Sequence, residues 1–164
     1  MLILGVDPGI GRMGICVVEE KNGKVKPLFY DCIQTEPNGK IEERLLKINS
    51  ETEELIKRFR PDVLSIEEVF FSSNAKTAFA VGQARGVVLL CAARNKIKVA
   101  IYTPLQVKMS LTGYGRADKN QIAQMVKVIL KLDKIPKIDD TSDALAVALT
   151  HAFTYKMSKL NARH

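Results

Sequence analysis

Three apolar, β-rich segments crowd into the first 34 residues, and the shortness of the links between them constrains the fold more than any other feature. Leu2–Val6 is a continuous apolar run closed by Asp7-Pro8-Gly9. Pro8 pushes Asp7 into extended geometry and Gly9 permits a turn, so a strand has to stop there. Met13–Val18 and Val25–Gln34 follow, separated by the turn-forming Lys21-Asn22-Gly23-Lys24. Links this short predict an antiparallel meander.

The period then changes. Ile41, Leu45, Ile48, Leu55 and Phe59 recur at helical spacing between Gly39 and Pro61, with Glu and Lys on the other face. Val63–Ile66 reads as a short buried strand of the parallel type, ending in Glu67-Glu68. Asn74 is placed to cap a long helix running to about Asn95, one face of which is small: Ala75, Ala78, Gly82, Gly86 and Ala93. Lys98–Tyr102 is a further strand, and Thr103-Pro104 opens a short helix by the cap-then-proline rule. After the flexible basic loop Thr112-Gly113-Tyr114-Gly115-Arg116, the residues Ile122, Met125, Val126, Ile129 and Leu130 mark an amphipathic helix carrying Lys119, Lys127 and Lys131 opposite. Beyond Pro136, Asp139 or Asp140 caps a final helix to about Tyr155. This order predicts an α/β domain of three layers, a mixed sheet with helices packed on it. Residues 1–155 form one domain in this reading, and 156–164 a short basic tail.

Composition narrows the class. At 164 residues, 46% hydrophobic and 26% charged, the chain is long enough for one sizeable core and excludes extensive disorder. No apolar run approaches the ~20 residues of a membrane span. The opening Met1-Leu2-Ile3-Leu4 lacks a basic n-region and reads as a first strand rather than a signal peptide. Cys16, Cys32 and Cys91 stand singly among apolar residues, which fits small core thiols in a reducing cytosol, not a disulfide scaffold or zinc site. The net charge of +7 is unevenly spread: residues 83–137 hold 11 basic and 2 acidic side chains, residues 1–82 hold 11 and 13. Such a block suits a polyanion, although a solvated face has the same composition.

Phosphate-loop, nucleophile-elbow and dinucleotide motifs are all missing, and the two histidines, His151 and His164, sit at or near the chain's end, where His151 reads as a helix-end or surface residue. The informative residues are acids. Asp7 closes the first strand and Glu67 the fourth, and strand ends of this kind converge on one sheet edge, where ligands bind. Asp140 and Asp143, three apart at the start of a helix, share a face. Singly, Asp7 is an ordinary turn residue and the helix acids are ordinary caps. Together at one edge they would repel unless neutralised, and a pair of Mg²⁺ or Mn²⁺ ions is the usual solution, one that also clamps phosphoryl oxygens. Joined to the basic block, the set favours a metal-dependent nuclease. A non-catalytic nucleic-acid module, a nuclease acting on RNA and an actin- or hexokinase-like phosphotransferase are the alternatives, the last needing two lobes for which the chain is too short.

A family resemblance sharpens this. Gly5-Val6-Asp7-Pro8-Gly9, Ile66-Glu67-Glu68-Val69-Phe70, Gly82-Gln83-Ala84-Arg85-Gly86-Val87 and Asp140-Thr141-Ser142-Asp143-Ala144-Leu145-Ala146 occur in the order seen in RuvC resolvases, and the resemblance runs from Leu2 to His151. It implies a ribonuclease H-like fold with a mixed five-stranded sheet, in a homodimer that cuts Holliday junctions in two strands of like polarity with Mg²⁺. It places the metal-binding acids on Asp7, Glu67, Asp140 and Asp143, and the catalytic-site lysines on Lys108 and Lys119. It also makes Phe70 an aromatic that stacks on a junction base. With the basic stretch, it sets Asn74, Lys76, Arg85 and Arg116 beside Lys108 and Lys119 as DNA contacts. One departure is Ser73, where many members carry a basic residue, with Lys76 nearby to offset it. The resemblance further implies a cytoplasmic, nucleoid-associated bacterial protein that works with the RuvA–RuvB branch-migration complex. The 74–95 helix, with its small face, is expected to form the dimer interface.

Overall fold

The structure, a computed structural model, describes residues 1–68 and 75–161. Five strands form one sheet: β1 (Leu2–Asp7), β2 (Arg12–Lys21), β3 (Lys24–Gln34), β4 (Val63–Glu67) and β5 (Lys98–Tyr102), in the order β3-β2-β1-β4-β5. The pairs β1–β2 and β2–β3 are antiparallel, while β1–β4 and β4–β5 are parallel. The β2–β3 hairpin turns at Asn22 and Gly23, both at positive φ (56° and 79°), the two-residue geometry that matches strand twist. Pro27 is tolerated because β3 is an edge strand and the register shifts beside it, between Val17 and Val18.

The helices are α1 (Ile41–Phe59), α2 (Ala75–Arg94), α3 (Pro104–Thr112), α4 (Lys119–Leu130) and α5 (Asp139–Asn161). Strand β1 is central and buried on both faces, so its alternate residues feed two cores. Leu4 and Val6 pack with Met13, Ile15, Leu64 and Ile66 beneath α1 and α2. Ile3 points the other way and joins Cys16, Val18 and Val63 beneath α3, α4 and α5. The expected three-layer α/β sandwich is present.

Local chemistry accounts for the helix ends. Thr103 and Gln106 form a reciprocal capping box with Pro104 at the first helical position, as the cap-then-proline pattern predicts. Asp118 does the same for α4 with Gln121, so this acid is a cap whose carboxylate accepts from the Gln121 N–H. Two details differ from the sequence reading. Asp139 and Asp140 lie inside the first turn of α5, and the helix continues past Tyr155 to Asn161 because no glycine or proline interrupts it. His151 is consequently a mid-helix residue, half-buried and hydrogen-bonded through Nδ1 to the Tyr102 hydroxyl at 2.8 Å, not a helix-end residue. The three cysteines are free and buried, as their apolar neighbours predict. Among the described residues no helix is long and apolar enough to cross a membrane.

Candidate active site

Helix α5 lies directly on β1 and β2 because two glycines let its backbone approach. A Cβ at Gly5 would stand 2.6 Å from the Ala144 carbonyl oxygen, and one at Gly14 would collide with the backbone of Asp140. Two hydrogen bonds lock the contact. The Cys16 thiol donates to the Ala144 carbonyl (3.3 Å), and the Ser65 hydroxyl donates to the Val147 carbonyl (2.8 Å). Burial pushes the Cys16 thiol up to about 12, so it remains a protonated donor at neutral pH.

This packing gathers the predicted acids. The parallel β1–β4 register ends at Val6 opposite Ile66, so Asp7 and Glu67 follow side by side at the carboxyl edge of the sheet. With Val6 and Ile66 turned into the α1/α2 core, strand alternation turns Asp7 and Glu67 toward α5. Asp140 and Asp143 come to the same edge in the first turns of α5. Burial first, then the charges of Glu67, Asp143 and Asp140, push the Asp7 carboxyl from 3.8 up to about 8. Glu67 is raised by burial and then by Asp143, and Asp143 is raised chiefly by burial. The other three acids therefore all act on Asp7 across this edge.

Among the described residues, two cations pair with them and a third acts at longer range. Lys119, the first residue of α4, donates from Nζ to Asp143 Oδ2 at 3.2 Å, and this carboxylate raises the lysine's own pKa. Arg12 Nε lies 3.2 Å from Asp140 Oδ2. Lys108, half-buried on α3, adds positive charge that acts on Glu67. A cleft of about 250 Å³ opens between the starts of α4 and α5, lined by Lys119, Asp139, Ser142 and Asp143.

Of the other predicted contacts, Arg116 is exposed in the loop leading to α4. Arg85 is half-buried on α2, and its buried Nε finds no hydrogen-bond partner among the described residues. Neither pairs with a carboxylate among the described residues. Phe70 and Asn74 lie outside the described residues, as do Phe71, Ser73 and the Lys76 side chain. The sequence reading missed Arg12 and Gly14. Gly14 had one signal, a glycine within a β-rich run, which often marks a close backbone approach.

The acids fit divalent metal in one respect and fall short of a finished cage in another. Asp140 Oδ2 is buried with no hydrogen-bond partner among the described residues, and the mutual repulsion on Asp7 calls for added positive charge. Yet among the described residues no group of three or more His, Cys, Asp or Glu side chains is arranged to hold a metal ion as it stands. The two α5 acids are each engaged by a protein cation instead.

The family model for crossover junction endodeoxyribonuclease RuvC matches residues 3–151. The chain belongs to the RuvC family. It is 51% identical over 152 residues to the crossover junction endodeoxyribonuclease RuvC of Desulforamulus reducens, covering 93% of each chain. It is also 51% identical over 160 residues to the RuvC of Ruminiclostridium cellulolyticum, covering 98% of this chain and 96% of that one. Among solved structures, Thermus thermophilus RuvC in complex with Holliday junction substrate is similar at 40% identity and a TM-score of 0.92, with 96% of each chain covered. The yeast mitochondrial Holliday junction resolvase Ydc2 shares the fold at 14% identity and a TM-score of 0.66. RuvC membership agrees with the order β-β-β-α-β-α-β-α-α-α.

Proposed function

We propose that this chain is a structure-selective endodeoxyribonuclease that resolves Holliday junctions by metal-dependent phosphodiester hydrolysis. The observation that carries this reading is the juxtaposition of Asp7, Glu67, Asp140 and Asp143 at one sheet edge, in a chain matched by the RuvC model from residue 3 to 151. These four would hold divalent metal, Mg²⁺ with Mn²⁺ as a substitute, two ions per centre. When bound, such ions supply Lewis-acid activation of the attacking water and of the leaving 3′ oxygen. The four carboxylates then need only stay ionised and oriented, and no side chain has to act as base.

Lys119 and Lys108 bring positive charge to the edge of the centre. Lys119 is held by Asp143, an exposed contact that a phosphate can replace, and charge placed there favours the phosphoryl transition state. Arg116 offers a guanidinium to the neighbouring backbone, and Phe70, next but two after Glu67 in sequence, is proposed to stack on an unpaired base.

The protein is further proposed to act as a homodimer through α2. Phe79, Gly82, Gly86, Leu90 and Ala93 are all exposed on this helix, at spacings that form one stripe. Two-fold pairing along this stripe would set two centres against two strands of like polarity. A bacterial cytoplasmic setting and a RuvA–RuvB partnership complete the reading.

The test compares cleavage of a synthetic four-way junction, a linear duplex and an RNA–DNA hybrid in Mg²⁺. Cutting confined to the junction, at symmetric positions in opposed strands, is expected. Equal cutting of duplex or hybrid would overturn the assignment.

A further inference from the structure

We propose that Arg12 is a built-in counter-ion that holds the Asp140 carboxylate until a divalent cation takes it over, and so limits how tightly the centre binds metal. The inference rests on the metal-binding reading of the four acids. Arg12 opens β2, five residues after Asp7, on the far side of the Pro8-Gly9 turn. Its Nε stands 3.2 Å from Asp140 Oδ2, an oxygen that is itself buried. The contact neutralises charge without hydrogen-bond alignment, because Oδ2 has no hydrogen-bond donor among the described residues. Buried carboxylate oxygens are costly in this state, so the oxygen is primed for a better ligand.

The two partners differ in freedom. The Arg12 side chain is 62% exposed, against 23% for Asp140. Its guanidinium can therefore swing into water at little cost, while the carboxylate is fixed by the α5 backbone resting on Gly14. The guanidinium leaves the oxygen by moving. A metal ion and the guanidinium compete for one oxygen. The Lys119–Asp143 pair is different, being a formed hydrogen bond to a lysine that the mechanism uses.

The competition is testable without turnover. Mn²⁺ is titrated into the full-length, DNA-free protein, and the free-ion signal is followed by electron paramagnetic resonance. Wild type is compared with Arg12→Gln, Arg12→Met, Arg12→Lys and Asp140→Asn, with circular dichroism confirming folding. Arg12→Gln and Arg12→Met should bind Mn²⁺ about two- to five-fold more tightly at low salt, the strength of an exposed ion pair. The gain should shrink as salt screens the pair, and Arg12→Lys should stay near wild type. Unchanged affinity in both neutral variants, with binding lost in Asp140→Asn, overturns the role of Arg12 and leaves the metal centre standing. Wild-type affinity in Asp140→Asn, or no Mn²⁺ bound by wild type, overturns both.

Discussion

Gly14 of β2 lies against the peptide between Asp140 and Thr141, so closely that a Cβ would overlap the Asp140 carbonyl. The same glycine pairs with Asp7 across the β1–β2 ladder. One backbone position thus sets the separation of two acids that belong to opposite ends of the chain. Gly14→Ala should push the first turn of α5 off the sheet, costing about 1–3 kcal/mol of stability as overpacking does. Urea midpoints should fall, and junction cleavage should fall with them. A variant with full cleavage would show that the α5 acids do not need this contact.

The Asp7 carboxyl gives the metal-free protein a characteristic pH dependence. Its pKa is 3.8 when unfolded and about 8 in the folded site, pushed up by burial and by Glu67, Asp143 and Asp140. Between these values the native state holds a proton that the unfolded state has released, so stability falls as pH rises through this window. The stabilising protonated form is fully kept below about 4 and lost above about 8. Urea unfolding in chelator should therefore show a drop on the order of a few kcal/mol between about pH 6 and pH 9. Saturating Mg²⁺ should flatten the curve. Rising stability over that range would contradict the repulsive cluster.

The exposed stripe of α2 supplies a test of the dimer that leaves the protomer intact. A Cβ at Gly82 meets nothing within 4 Å among the described residues, and Leu90 is 55% exposed. Gly82→Leu removes a helix-interior glycine, so the protomer should gain up to about 1 kcal/mol of helix propensity. Sedimentation should nevertheless show monomers for Gly82→Leu and for Leu90→Glu, with paired cutting of the junction lost. Dimers in both variants would move the interface elsewhere.

Lys119 sits 3.2 Å from Asp143 while most of its side chain faces solvent. Replacement by alanine should slow cleavage on the order of 10²-fold, the usual loss for one transition-state donor. Junction binding should change little by comparison, since many other cations remain on the 83–137 stretch. Lys108→Ala should behave alike through its weaker action on Glu67. Equal losses in binding and rate would reduce both lysines to phosphate holders.

Much of this centre is legible before any coordinates. Asp7 and Glu67 stand out because each closes an apolar run, and Asp140 and Asp143 because their spacing puts them on one helix face. The strand and helix order is readable for the same reason, since period and turn chemistry are local. What escapes is contact between distant backbones. A glycine inside a β-rich run hints at a close backbone approach, but nothing local says that α5 makes it at Gly5 and Gly14, and the long Arg12 side chain reaches Asp140 only once that packing exists. The α2 face is a milder case. Its small residues suggest one uniform surface, but Ala78 turns into the core while Gly82, Gly86 and Ala93 turn outward beside Phe79 and Leu90. Asp118, an opposite charge beside Lys119 in sequence, is the cap that starts the helix presenting that lysine.

The central claim is that four carboxylates at one sheet edge hold the metal that cuts the junction. It is tested most directly by Asp7→Asn, which keeps the shape of the acid that all the others act on and removes its charge. A synthetic four-way junction is offered to wild type and variant in Mg²⁺, with binding read by gel shift and cutting on a denaturing gel. The account predicts junction binding close to wild type and no cleavage by the variant. Cleavage at the wild-type rate would contradict it.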